Sequence, residues 1–141
     1  MNKIFNAEQF ISTKWDSAEQ KAKFANQFVK FVDNGFKESD FPEWFYKRLS
    51  MCFSHIAHYN RQGFFDTFFT SISYKIDFIR QTLDCDCYGD STFTYSDVER
   101  VLKQWMEEKH ILSTYQLRLS EVSESVERAE YERLKVKYGG K

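Results

Sequence analysis

Residues 113–137 read STYQLRLSEVSESVERAEYERLKVK, twenty-five positions without a glycine or a proline. A stretch that long with no helix breaker, rich in Leu, Glu, Arg and Lys, is written for one continuous α-helix of about 37 Å at 1.5 Å per residue. Along it Leu112, Tyr115, Leu119, Val122, Val126, Ala129, Arg133 and Val136 keep a strict 3–4 alternation, the mark of a heptad seam. Glu124 with Arg128 at i,i+4, and Glu130 with Arg133 and Glu132 with Lys135 at i,i+3, support the helix, and bases gather at its C-terminal end where the dipole favours them. The seam falls short of a self-sufficient coiled coil. One first position is Arg133, one fourth position is Ala129, and Gln116, Ser123 and Ser125 lie on the flanks. It therefore has two uses: packing on the chain's own domain, or projecting from it to pair with a second copy or another partner.

Upstream of this helix the single proline, Pro42, and the glycines at 35 and 63 divide the chain. A weak pattern predicts a short helix from Ala7 to Trp15. Asp16 or Ser17 then caps a helix whose stripe is Ala18, Ala22, Ala25, Phe28, Val29 and Val32, stopped by Gly35. Ser39 or Asp40 with Pro42 opens the next, which runs to about Asn60 with Phe45, Leu49, Cys52, Ile56 and Tyr59 on one face. Gly63 breaks the pattern. Phe64, Phe65, Phe68 and Phe69 form a short, doubly apolar segment, and Ile72, Ile76, Ile79 and Leu83 a cleaner helix. Residues 84–94 (DCDCYGDSTFT) read as a loop. Thr94 and Asp97 resemble a capping box that opens a helix ending near Lys109, with Val98, Val101, Leu102, Trp105 and Met106 inward. The fold class expected is all-α: a single-domain bundle of five to six helices over 1–141, with the Ser113–Lys137 helix last.

The composition fits one globular domain. In 141 residues, 42% are hydrophobic and 29% charged, and the net charge of −1 supplies no long-range field for nucleic acid or an anionic membrane. No segment has the apolar length of a membrane span, and an odd count of three cysteines favours a reducing compartment, so a cytoplasmic location is expected. Aromatics are the outlier at 18%. Twelve of the 38 residues from Phe41 to Phe78 are aromatic, more than a small core readily hides. Some of Trp44, Tyr46, Tyr59, Phe64, Phe65 and Tyr74 are therefore expected to be only partly buried, and Trp44, Tyr46, Tyr59, Phe64 and Phe65 with Arg61 to form a partner-binding patch, since Trp and Tyr dominate binding hot spots. The competing reading is an aromatic core rimmed by an Arg61–Asp66 pair.

Other chemistry has thinner support. Cys52, His55, Cys85 and Cys87 are weak candidates for a metal site, but Cys-x-Cys is a poor zinc spacing and His58 turns away. Asp84, Asp86, Gly89 and Asp90 imitate part of a calcium loop, yet Tyr88 and Tyr95 stand where ligands are required. Cys52 or Cys87 with His55 could form a nucleophile pair, but no base, orienting group and oxyanion hole are brought together in the sequence. Lys21, Lys23, Lys30, Lys47, Arg48, Arg100, Lys103 and Lys109 could meet phosphates, but acids are interleaved among them. The function expected is a non-enzymatic protein-interaction module without cofactors, of a size suited to a bacterial or mobile-element inhibitor or adaptor. Its partner is a protein of unknown identity or a second copy bound through the last helix. The alternatives are a nucleic-acid-binding regulator, and a metal- or Cys-dependent enzyme.

Overall fold

Sixteen consecutive residues without a breaker, capped at one end and stopped at the other, make the helix around which the domain is assembled: α1 (Ala18–Asp33). Ser17 has extended backbone and its Oγ accepts the N–H of Gln20 at 3.1 Å. At the far end Gly35 takes φ +82° and the N–H groups of Gly35 and Phe36 close back on the carbonyls of Val32 and Phe31, a Schellman stop. The apolar contact that accompanies such a stop is Phe36 edge-on to Phe31, with centroids 5.2 Å apart. Phe36 itself holds φ +62°, a strained value for a residue with a Cβ, and the ring contacts hold it there.

The structure, a computed structural model, describes residues 5–52, 60–84, 91–92 and 94–139. Among these residues it is all-helical: α1 is followed by α2 (Glu43–Cys52), α3 (Arg61–Phe68), α4 (Ile72–Asp84), α5 (Ser96–Glu108) and the long α6 (Ile111–Gly139). This is the expected bundle, with α6 two residues longer at each end than predicted. Three local expectations are corrected. Ala7–Gln9 is only a single 3-10 turn, because its backbone turns extended at Phe10. Gly63 does not break a helix but lies in the first turn of α3. Its N–H bonds the Asn60 cap oxygen at 2.6 Å, and a Cβ there would come within 2.9 Å of that oxygen. Thr94 and Asp97 do not form a capping box, since the N-cap of α5 is Tyr95, with no side-chain cap bond, and Asp97 turns inward.

The core is a mesh of phenyl rings. Phe31 has the centroids of Phe41, Phe45 and Phe69 within 5.7 Å, and Phe41, Phe64, Phe69 and Phe78 continue the mesh into α3 and α4. Edge-on ring pairs add roughly 0.5–1.5 kcal/mol each beyond the area they bury. This corrects the expected aromatic surface at three residues, while Trp44 is half-buried and Tyr74 52% exposed, as expected. Tyr46, Phe64 and Phe65 are 6%, 0% and 8% exposed. The short α3 carries rings on two faces, and the surrounding elements cover both: Phe64 meets Phe41, Tyr46 and Phe78, and Phe65 meets Phe41 and Phe69. Arg61 bonds the Phe41 carbonyl at 2.7 Å and pairs with Glu38 at 3.5 Å, whereas Asp66 accepts from Gln62.

One polar cluster is sealed inside. Lys21, wholly buried, donates from Nζ to the carbonyls of Ser91 and Thr94 and to Asp97 Oδ1, each at 2.9 Å, so all three ammonium protons have acceptors. Asp97 Oδ2 accepts the Ile11 N–H at 3.0 Å. Alongside, Tyr95 donates to Asp16 Oδ2 at 2.8 Å, Arg48 donates to Asp16 Oδ1 at 3.1 Å, and the Cys52 thiol faces the Tyr95 carbonyl at 3.9 Å. The N-terminal segment, α1, α2 and α5 meet at these bonds.

Removing one member of a satisfied buried pair strands the other, so Lys21→Met is expected to cost about 3–5 kcal/mol in denaturant unfolding. A loss below about 1 kcal/mol would show that the cluster is not structural. Burial first, then the hydrogen bond and charge of Asp16, push the Tyr95 phenol well above its ordinary 10.0, and burial pushes Tyr115 in the same direction. The unfolded chain gives up these protons first. Their stabilisation is therefore complete below pH 10 and is lost as pH rises beyond it, so melting temperature should fall steeply on the alkaline side. Tyr95→Phe should flatten that fall. Thr82 is fully buried and its hydroxyl has no hydrogen-bond partner among the described residues, so the isosteric Thr82→Val should raise stability by about 1 kcal/mol in the same assay.

Candidate functional site

Helix α6 changes character partway along. Its first turns bury Ile111 and Tyr115 and half-bury Leu112 and Leu119 against the body, chiefly on α4 and then on α5. From Ser120 to Lys135 every side chain is exposed. The predicted seam is thus split. Leu112, Tyr115 and Leu119 meet their own domain, while Val122 (47% exposed) and Val126 (63%) continue the same stripe into solvent, with Ala129 and Arg133 after them. Tyr131 and Leu134 are also exposed, the first on the opposite side of the helix by its spacing. Residues 120–139 therefore extend about 30 Å from the last docked turn.

The direction of that projection is set at the α5–α6 junction. Lys109 caps α5, and His110 takes φ +54°, the left-handed value usually given to glycine. Its N–H closes on the Glu107 carbonyl, and its own carbonyl accepts from Thr114 N–H and the Ser113 hydroxyl, so one residue both ends α5 and starts α6. Beyond the junction, Arg118 lies over the Tyr115 ring at 4.8 Å. An open groove of about 440 Å³ runs between α4 and α6, lined by Ser73, Ile76, Asp77 and Arg80 on one side and Gln116, Leu119, Ser120 and Ser123 on the other.

A second exposed feature escaped the sequence reading. Trp15 is 68% exposed at the tip of a turn tied down by Thr13, whose Oγ accepts the N–H groups of Trp15 and Asp16 and bonds the Asp16 carbonyl. Ser12 Oγ accepts the Ala18 N–H in the same turn. The signal lies in the serines, threonine and aspartate of residues 12–17, side chains that satisfy backbone locally, whereas the apolar pattern predicts a helix as far as Trp15 and a cap at Asp16 or Ser17. Ile11, 52% exposed, lies nearby in sequence. Trp44 is half-buried with Lys23 4.7 Å from its ring.

The other candidates are placed as follows. Cys52 is buried, 1% exposed, and so is no surface ligand or accessible nucleophile. Tyr59, His55, Cys85 and Cys87, and with them most of the calcium-like loop, lie outside the described residues. Among the described residues no group of three or more His, Cys, Asp or Glu side chains is arranged to hold a metal, and no helix is long and apolar enough to cross a membrane. Of the bases considered for phosphate contact, Lys21 is sealed in the core, Lys30 pairs with Asp40 and Arg48 with Asp16. No protein-family model, curated protein or solved structure matches the chain.

Proposed function

We propose that this chain is a non-enzymatic protein-interaction module, an adaptor or inhibitor in scale, that engages its partner through the projecting half of α6. The observation that carries the reading is the continuity of one apolar stripe across the edge of the body: Leu119 is the last residue the domain covers, and Val122 and Val126 repeat the same register uncovered. A helix that needed the seam only for its own folding would end where its support ends. Exposed apolar side chains in register are what helix-in-groove and helix-pairing recognition use. The Trp15 turn is a rigid aromatic with low ordering cost and supplies a second point of attachment.

The alternative functions draw less support. A nucleic-acid regulator needs free bases on one face, and several of the predicted ones are tied to acids. Cys-dependent catalysis gains nothing from the buried Cys52.

Val126→Asp places a charge on the seam without touching the core, so thermal stability should stay within about 0.5 kcal/mol of the parent. Proteins retained by the full chain from its native host should be lost from the variant, by tenfold or more, while Ser73→Ala leaves them bound. Equal retention by Val126→Asp and the parent would refute the assignment to α6.

A further inference from the structure

Bases drawn against the body of this chain are commonly answered by acids: Lys21, Lys30, Arg48 and Arg61 reach a carboxylate at 2.9, 3.6, 3.1 and 3.5 Å. Lys75, half-buried in the first turn of α4, is not answered in this way. Its ammonium lies 5.9 Å from the centre of the Phe36 ring and 3.5 Å from the Gly35 carbonyl, and the side-chain charge it meets is that of Arg118 on α6. Arg118 lies 4.8 Å from the centre of the Tyr115 ring, and the Phe36 and Tyr115 rings are themselves 5.4 Å apart. Two cations from two helices thus stand on one pair of joined rings. Among the described residues neither forms an ion pair with a carboxylate.

We propose that Lys75 and Arg118, brought from α4 and α6 onto the Phe36–Tyr115 ring pair, form a binding site for a small dianionic oxyanion of the phosphate class.

The strain of the arrangement falls on Lys75. Burial first, and then the Arg118 charge, hold its ammonium below the ordinary 10.5. Like charges set side by side cost stability, and partial burial sharpens the repulsion. An oxyanion between them replaces that repulsion with charge-assisted hydrogen bonds from both. Perturbed charges of this kind gather where a fold has a ligand to hold.

The surroundings narrow the ligand. The Gly35 carbonyl faces one of the three ammonium protons of Lys75, and Arg118 is exposed, so donors remain on both bases. Phe36 and Tyr115 are 2% and 5% exposed, so their rings support the bases and leave no face on which a nucleobase could stack. Asp33, the last residue of α1, acts on the Tyr115 phenol but pairs with neither base. Two positive charges with one carboxylate nearby suit a single dianion and disfavour a polyanion. A ligand held there ties α4 to the docked turns of α6, whatever the exposed stripe beyond them binds.

Thermal melting and titration calorimetry of the full chain with inorganic phosphate, at ionic strength held constant with sodium chloride, test the site. The melting temperature should climb with phosphate concentration, because the ligand binds the folded state alone, and acetate, a monoanion, should raise it much less. Lys75→Met and Arg118→Met keep the apolar stems over the rings. Each should abolish the phosphate-dependent rise while leaving the phosphate-free melting temperature unchanged or higher, since the repulsion is gone. Arg80→Met, in the lining of the α4–α6 groove, should keep the rise. The Lys75 pKa, followed through the NMR signals of its side-chain carbons, should move up when phosphate binds. Methyl phosphate separates the sources: binding tenfold or more tighter than inorganic phosphate assigns the site to a phosphoryl group on a larger molecule, and equal or weaker binding assigns it to the free ion. The proposal is overturned by a melting temperature that phosphate raises no more than chloride, by a rise that survives either substitution, or by a Lys75 pKa that phosphate does not move. A phosphate-free melting temperature that drops in both variants also overturns it, because the two bases then serve the fold.

Discussion

A wholly buried ammonium is costly unless all its protons are answered, and the Lys21 site answers all three. Two acceptors are carbonyls at Ser91 and Thr94 and the third is Asp97 Oδ1. None of these partners is near Lys21 in sequence, so the cost of burying the charge is offset only when α1, the segment before α5 and the N-terminal residues are all in place. Asp97 ties down Ile11, and Asp16, two residues before α1 begins, ties down Tyr95 and Arg48. A greasy core of phenyl rings tolerates sliding, because rings pair acceptably in many geometries. The directional bonds of this cluster do not, which suits them to selecting one arrangement of the helices.

With that arrangement fixed, α5 presents Trp105 and Met106 to the core and ends on the left-handed His110 turn, which aims α6. The docked turns of α6 are held by Tyr115, whose ring meets Phe36 at 5.4 Å, and Phe36 is the residue that closes the end of α1. The geometry of the projecting half is thus inherited from two helix ends, one at Gly35 and one at His110.

Much of this architecture was legible in the sequence. Ser17 and Gly35 bounded α1, the unbroken run after Ile111 specified α6, and the stripes of α4 and α5 pointed the right way. Elsewhere local pattern was overruled by tertiary structure. Lys21 looked like a surface base because nothing within a few residues of it is its partner, and Asp97 looked like a cap because acids at the third helical position usually are. The middle aromatics looked too many to bury because a helical wheel assumes one covered face, whereas α3 is covered on both. Gly63 looked like a breaker because spacing cannot report a cap oxygen pressed against its Cα. The split of the α6 seam was not legible at all: Leu119 and Val122 are the same kind of residue in the same register, and only the extent of α4 decides which one is covered.

A stiff rod anchored over its first turns and free beyond them is a lever. A tilt of about 10° at the Tyr115 seat, produced by a slight re-seating of Phe36 or of the His110 turn, would carry the far end of a 30 Å arm through roughly 5 Å. Small adjustments in the packed body would thus be amplified at the tip, and a load applied at the tip would be concentrated on Tyr115, Leu119 and the rings beneath them.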